Sequence, residues 1–291
     1  MIQRERVAEN VYSFQSEYYA QVTAGAVIGP DWAVAIDTLA YPEETLAIRD
    51  FIEGELKVPV RYVINTHYHA DHSWGTCYFP GAMVLSHSLC RNMLETKGIP
   101  SLEEVRKQNS SYRQSQIILP QMTFDEGEVN LKVGKKTLTL LCLPGHSADG
   151  IGVLVAEDRV LFSGDVFMAL PYIVNGDIED LIASLKAIKR MSLENIIQGH
   201  GDIVLRGEIE SEIEGHLAYL STIRKIVRRA ARRKYPGDLL ATADVESCGK
   251  SRVLLGGLVT ELHQKNLQAL YQQLYGEPPA YSHVDESELY Y

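Results

Sequence analysis

Residues 60–66, VRYVINT, form a short apolar run, and THYHADH, residues 66–72, follows it with no spacer. Three histidines and an aspartate thus fall within six positions of a chain that has nine histidines. A surface loop has no need of that density, and a strand that ends in it constrains the fold. His67 and His69 lie at i and i+2, a spacing that points both imidazoles the same way in extended backbone. Ala70 is small enough for the chain to turn, so Asp71 and His72 face a second direction. One such cluster cannot close two coordination spheres. Zinc takes about four ligands from His, Asp/Glu or Cys, and a catalytic ion keeps one position for water. The ends of other strands must therefore come to the same edge. Three candidates qualify: His146 in LPGHSADG after TLTLLCLP, Asp165 in LFSGD, and His200 in IIQGHGD after ENIIQ. A glycine precedes each, which permits a sharp turn and a close backbone approach.

The remaining pattern shows how the chain can bring these ends together. The first third reads as strands in 11–29, 32–37 (WAVAID), 60–66 and 82–87, with a helix over 41–56. Residues 91–120 are more polar and read as an insertion or lid. The second third repeats the rhythm with VNLKVG, KTLTLLCLP and a hairpin over GIGVLVAEDRVLFSGD, then a helix over 178–191 and the short strand ENIIQGH. Two strand-rich halves, each followed by helices, predict an α+β four-layer αββα sandwich. Residues 1–205 form the expected catalytic domain. Residues 206–291 read as a C-terminal helical extension packed on it, with helices over 208–235 and 254–276. The first ends in a basic stretch from Arg224 to Lys234 that suits a helix C-terminus, and Pro236-Gly237 ends that helix. The tail from 277 is polar and expected to order only by docking. The long helices either cap the site or form a homodimer face.

Composition narrows the class. The net charge of −10 argues against a nucleic-acid partner. Cys77, Cys90, Cys142 and Cys248 are scattered, so buried reduced thiols are expected rather than a disulfide framework. No apolar leader is visible and no run approaches the ~18 apolar residues of a membrane span. A cytoplasmic protein with no membrane partner is the expectation.

With these residues in place, the sequence resembles the metallo-β-lactamase superfamily over roughly residues 10–205. The match rests on the HxHxDH motif of His67, His69, Asp71 and His72, followed by His146, Asp165 and His200. The resemblance implies two metal ions, zinc first and iron or manganese as alternatives. It gives one ion to His67, His69 and His146, the other to Asp71, His72 and His200, with Asp165 and a hydroxide bridging both. Asp37, at the end of WAVAID, matches an aspartate that supports the metal loop without binding metal. Two divalent ions against two aspartates and a hydroxide leave the site formally cationic, suited to a polarised or anionic group. Asp71 can orient the hydroxide and pass a proton to the leaving group, which makes it an acid/base candidate as well as a ligand.

The expected reaction is hydrolysis of an ester, lactone, thioester or amide-type bond of a small molecule. A dedicated β-lactamase is disfavoured by Asp165 and the missing leader. A glyoxalase II-like thioesterase is disfavoured by segment 166–177, which has one Tyr and no Lys or Arg. The persulfide dioxygenases share the motif's spelling but hold one iron with the equivalents of His67, His146 and Asp165. A non-catalytic binding protein on the same fold is the remaining alternative. Tyr19 in SEYYAQ, Trp74 and Tyr172 are the candidate pocket residues. Tyr18 and Tyr19 alternate faces, so at most one of them should point to the site. His87 is expected in a supporting role rather than as a ligand.

Overall fold

The computed structural model describes residues 2–282. The first sheet runs in chain order through β1 (Ile2–Ala8), β2 (Val11–Ser16), β3 (Thr23–Ile28), β4 (Ala33–Ile36), β5 (Val60–Ile64), β6 (Met83–His87) and β7 (Met122–Phe124). The first four strands pair antiparallel; from β4 onward the pairing is parallel. Parallel pairing needs crossovers. The first of these is α1 (Pro42–Arg49), which continues as a wider turn to Glu55. Next come α2 (Ala70–Ser73), a single turn that carries Asp71 and His72, then α3 (Ser88–Met93) and α4 (Ile99–Gln108).

The second sheet holds β8 (Glu128–Val133), β9 (Lys136–Cys142), β10 (Ile151–Val155), β11 (Val160–Gly164), β12 (Asn195–Gln198) and β13 (Val204–Leu205), in the reverse spatial order from β13 to β8. Only β11 and β12 pair parallel, and α5 (Ile178–Lys189) makes that crossover. Asp177 caps α5, its carboxylate accepting from the amides of Glu179 and Asp180. Three helices follow: α6 (Ile209–Ala230), α7 (Pro236–Ala241) and α8 (Val259–Tyr275).

The layers follow from which side chains each strand turns inward. In β4, Val34 and Ile36 face the second sheet and meet Val153, Phe162 and Ile197. Ala33 and Ala35 face outward with Ile48, Phe51 and Ile52. The outer face of the second sheet, through Leu161 and Ile196, buries Leu181 and Leu185 of α5, Leu220 and Ile223 of α6, and Leu267 and Leu270 of α8. This is the αββα sandwich expected from the order of elements, with the C-terminal helices on the outer face of the second sheet.

The sheets sit close at Gly25, where a Cβ would lie 2.0 Å from the Phe162 ring. Replacing Gly25 with valine should therefore cost about 3 kcal/mol or more by overpacking. A denaturant melt reads this directly, and an unchanged midpoint would contradict the close sheet packing.

Several elements differ from the sequence reading. β1 is a strand although its residues are polar. It is an edge strand with Arg4, Glu5 and Arg6 exposed, and the Arg4 guanidinium stacks over Phe51 at 3.9 Å. β7 and β13 are too short to carry a periodic signal. The helix expected over 208–235 stops at Ala230, and Pro236 occupies the first turn of α7, where its missing N–H costs nothing. The helix expected from 254 begins at Val259, because Leu255 and Gly256 adopt left-handed backbone.

Within 91–120, Leu102 and Tyr112 bury against Trp74. The tail returns to the core: the Ala280 carbonyl accepts from Gly237 N at 2.7 Å, and Ser282 N donates to Asp238 at 3.0 Å. Residues 283–291, the rest of that tail, lie outside the described residues. All four cysteines are free thiols, Cys90 and Cys248 being buried. Among the described residues no helix is long and apolar enough to cross a membrane.

Candidate metal centre

Both sheets end their central strands at one edge. β5 runs out into His67 and His69, the latter still extended, and α2 then turns Asp71 and His72 inward. β9, β11 and β12 of the second sheet run out into His146, Asp165 and His200. The edge is stitched by backbone hydrogen bonds between the halves: Ile151 N donates to Thr66 O at 2.9 Å, and Thr23 N to Gly199 O at 2.8 Å. The glycine before His200 is required by space. A Cβ on Gly199 would lie 1.9 Å from Asp165 Oδ1.

The seven side chains form two abutting groups, His67–His69–His146–Asp165 and Asp71–His72–His200. In the first, His69 Nδ1 lies 3.0 Å from His67 Nε2 and 2.9 Å from His146 Nε2. Asp165 Oδ2 is 3.3 Å from His146 Nε2 and 3.7 Å from His67 Nε2. In the second, His200 Nε2 is 3.3 Å from Asp71 and 3.5 Å from His72 Nε2. Asp165 also reaches this group, its Oδ1 3.1 Å from His72 Nε2 and its Oδ2 3.4 Å from His200 Nε2.

Hydrogen bonds behind the imidazoles set which nitrogen faces inward. His146 Nδ1 donates to the Tyr172 carbonyl at 2.9 Å, and His200 Nδ1 to the Ala20 carbonyl at 2.9 Å. His72 Nδ1 donates to Asp37 Oδ2 at 2.9 Å. Thr66 Oγ1 donates to the same oxygen at 2.7 Å and accepts from His67 Nδ1 at 3.0 Å. Four imidazoles thus turn Nε2 toward one another. His69 is reversed: its Nδ1 faces inward and the Asn175 amide lies 3.1 Å behind its Nε2. That amide accepts from Nε2–H when its oxygen is turned forward.

Lone pairs packed this closely repel unless a cation or a proton lies between them, and Asp165 Oδ1 is buried without a hydrogen-bond donor. The donor set therefore fits metal ions. In a metal-free chain, protons take part of that role. Burial holds His67 well below its usual pKa, His69 below it, and His146 down at about 4. Burial also opposes a charge on His72 and His200, but the carboxylates prevail. Asp165 and Asp71 lift His200 to about 10, and with Asp37 they raise His72 well above its usual value. Burial alone would raise Asp71, yet His72 and His200 pull it down to about 2. The first group is neutral imidazole around one carboxylate; the second is an ion-paired cluster.

The remaining candidates are placed as follows. Asp37 touches the 66–72 loop at three points, accepting from Thr66 N at 2.8 Å as well as from Thr66 Oγ1 and His72. Tyr19 sits at the tip of the β2–β3 hairpin, with its amide and that of Tyr18 donating to Ser16 Oγ. Burial and then the charges of Asp71 and Asp165 push its phenol up to about 12. The Tyr172 ring is 5.8 Å from His146. Trp74 is buried, 5.7 Å from Tyr112. His87 caps α3, its Nδ1 accepting from Leu89 N at 3.1 Å.

Four neighbours of the site have no counterpart among the sequence candidates. Tyr41 and Tyr112 continue an aromatic wall, Tyr41 lying 6.3 Å from Tyr18 and 6.4 Å from Tyr112. Asp149 accepts from Tyr68 N at 2.8 Å and so braces the loop between His67 and His69. Asn175 backs His69. Of these only Asp149 carries a sequence signal, three residues after His146 in the same turn.

Fold and donors together define an αββα sandwich whose paired sheet edges carry a cluster suited to metal ions. The chain belongs to the metallo-β-lactamase superfamily, whose family model matches residues 20–238. It is 28% identical over 145 residues to a beta-lactamase-like protein 2 homolog of Caenorhabditis elegans, covering 50% of this chain and 43% of that protein. It is 26% identical over 164 residues to a thioesterase of Emericella nidulans, covering 56% and 41%. It is 25% identical over 225 residues to an acyl-coenzyme A thioesterase of Homo sapiens, covering 67% and 79%. The chain thus spans about two fifths of the first two relatives. Among solved structures, a sec-alkylsulfatase of a Pseudomonas species superposes with a TM-score of 0.74 at 13% identity, over 95% of this chain and 50% of that one. That likeness concerns the fold alone.

Proposed function

We propose that this chain is a metal-dependent hydrolase of acyl thioesters that holds two zinc ions. The observation that carries the reading is Asp165, whose two oxygens reach both donor groups. The first ion is assigned to His67, His69, His146 and Asp165, the second to Asp71, His72, His200 and Asp165. When bound, the ions supply a Lewis acid for the carbonyl and a water acidified to a pKa of about 7. Thioester is chosen over lactone, ester or lactam because two of the relatives are named thioesterases.

The chain's own residues do the rest. Asp71, held ionised, accepts a proton on a carboxylate oxygen and returns it to the leaving sulfur. Tyr19 keeps its phenolic proton at neutral pH and can donate a hydrogen bond into the cleft. The exposed Tyr18 ring, with Tyr41 behind it and the buried Tyr112 supporting Tyr41, offers apolar area to an acyl chain.

Metal analysis of the purified chain, combined with a panel of acyl thioester, lactone, ester and lactam substrates, tests the proposal. About two zinc ions per chain and preferred thioester cleavage support it. One iron per chain would favour the oxygenase alternative, and zinc without thioester cleavage would reject the substrate.

Metal loading should also release protons. His72 and His200 carry protons in the metal-free chain at pH 6 but must ligate unprotonated, so filling the centre should free about two protons from them. Because His200 titrates at about 10, affinity should rise with pH toward that value. Calorimetric titration in buffers of different ionisation enthalpy counts the protons; none released would contradict the ion-paired second group.

A further inference from the structure

α8 lies beyond residues 20–238, the part matched by the family model. Two of its side chains nevertheless reach toward the metal donors. Asn266 is fully buried, and its Nδ2 donates to the Pro171 carbonyl at 2.7 Å. Its Oδ1 accepts from Ile173 N at 2.9 Å. Gln273, about two helical turns on and so on the same face, donates to the Gly176 carbonyl at 2.8 Å and the Ile173 carbonyl at 3.3 Å. One amide brackets Tyr172 from both sides and the other holds the chain around Asn175.

The held segment supplies the backing of two imidazoles in the first donor group. The Tyr172 carbonyl accepts from His146 Nδ1, and the Asn175 amide meets His69 Nε2. A ligating imidazole keeps its tautomer and its aim through the partner on its far nitrogen, and losing that partner typically costs about 10–100-fold in metal affinity.

We infer that Asn266 and Gln273 are positioning residues for the first metal group, and that α8 sets its affinity through segment 171–176. The inference rests on the reading of His67, His69, His146 and Asp165 as a metal site.

A purely structural role for Asn266 is separable. Its Nδ2 also donates to Tyr219 Oη at 3.1 Å, and that hydroxyl is 2.9 Å from His263 Nδ1. Tyr219→Phe removes these bonds from the same buried pocket and leaves both loop contacts in place.

The test uses the full chain, metal-free, in the wild-type and His200→Ala forms; the latter keeps only the first donor group whole. Zinc affinity is read by competition with a chromophoric chelator, ligand geometry by the visible spectrum of the cobalt form, and stability by melting. In the His200→Ala chain, Asn266→Leu should weaken zinc by about 10-fold and alter the cobalt spectrum. Tyr219→Phe should lower the melting temperature and leave both metal readouts unchanged. Should Asn266→Leu not fold, Gln273→Leu at the exposed end of α8 decides, with several-fold weaker zinc as the supporting result. Unchanged zinc affinity in these variants, or an equal loss in Tyr219→Phe, overturns the inference. A wild-type chain that binds no zinc rejects the metal centre itself, a different and separately visible outcome.

Discussion

Asp165→Ala should lower hydrolysis by at least about 10³-fold, the scale of losing a principal electrostatic element of an active site. It should also leave the chain unable to hold two ions tightly. The Asp165 carboxylate reaches both donor groups. Its oxygens lie near His67 and His146 on one side and His72 and His200 on the other. Without this carboxylate the first group becomes three neutral imidazoles, and the second keeps only Asp71 to balance the ion. The metal-free chain should suffer too, because His72 and His200 owe their protonated state largely to Asp165. Zinc content, melting and turnover can be measured on one preparation. Two tightly held ions with an unchanged rate would reject the bridging role.

Asp37→Asn should separate the two metal groups while sparing the fold. Asparagine matches aspartate in size, and its oxygen can still accept from Thr66 N. Its NH₂ then occupies the place of Oδ2, which accepts from Thr66 Oγ1 and His72 Nδ1. The threonine hydroxyl can rotate and accept instead. His72 can adapt only by moving its proton from Nδ1 to Nε2, and that proton then sits where a metal must bind. The second ion should weaken by about 10–100-fold, with the first nearly unaffected. Zinc stoichiometry at limiting metal should fall from two toward one. Retention of both ions at wild-type affinity would show that Asp37 does not set the His72 tautomer.

How much of the centre is legible in the chain follows from locality. His146, Asp165 and His200 stand out because each ends an apolar run and follows a glycine, so donor and strand are read together. The two sheets are legible for the same reason, as in β4, where four consecutive buried residues serve two faces. β1 has no such signature, since its pairing with β2 is a backbone matter and its side chains are exposed and charged. The backing of His69 and His146 is invisible for another reason. Asn175 is 106 positions from His69, and Asn266 is 93 from Ile173. An asparagine in a loop and another inside an amphipathic helix look ordinary until the fold sets them behind an imidazole. The aromatic wall is intermediate: Tyr19 sits beside the hairpin turn that flags it, whereas Tyr112 arrives from the 91–120 segment and is recognisable only from its ring contacts.

The donors come from both sandwich halves, His67, His69, Asp71 and His72 after one sheet and His146, Asp165 and His200 after the other. An ion seated among them is a removable rivet across the open edge of two plates. At free metal about a thousand times its dissociation constant, mass action alone adds about 4 kcal/mol to the closed form. Metal supply would thus govern not only turnover but how long the chain survives proteases that attack the parted edge.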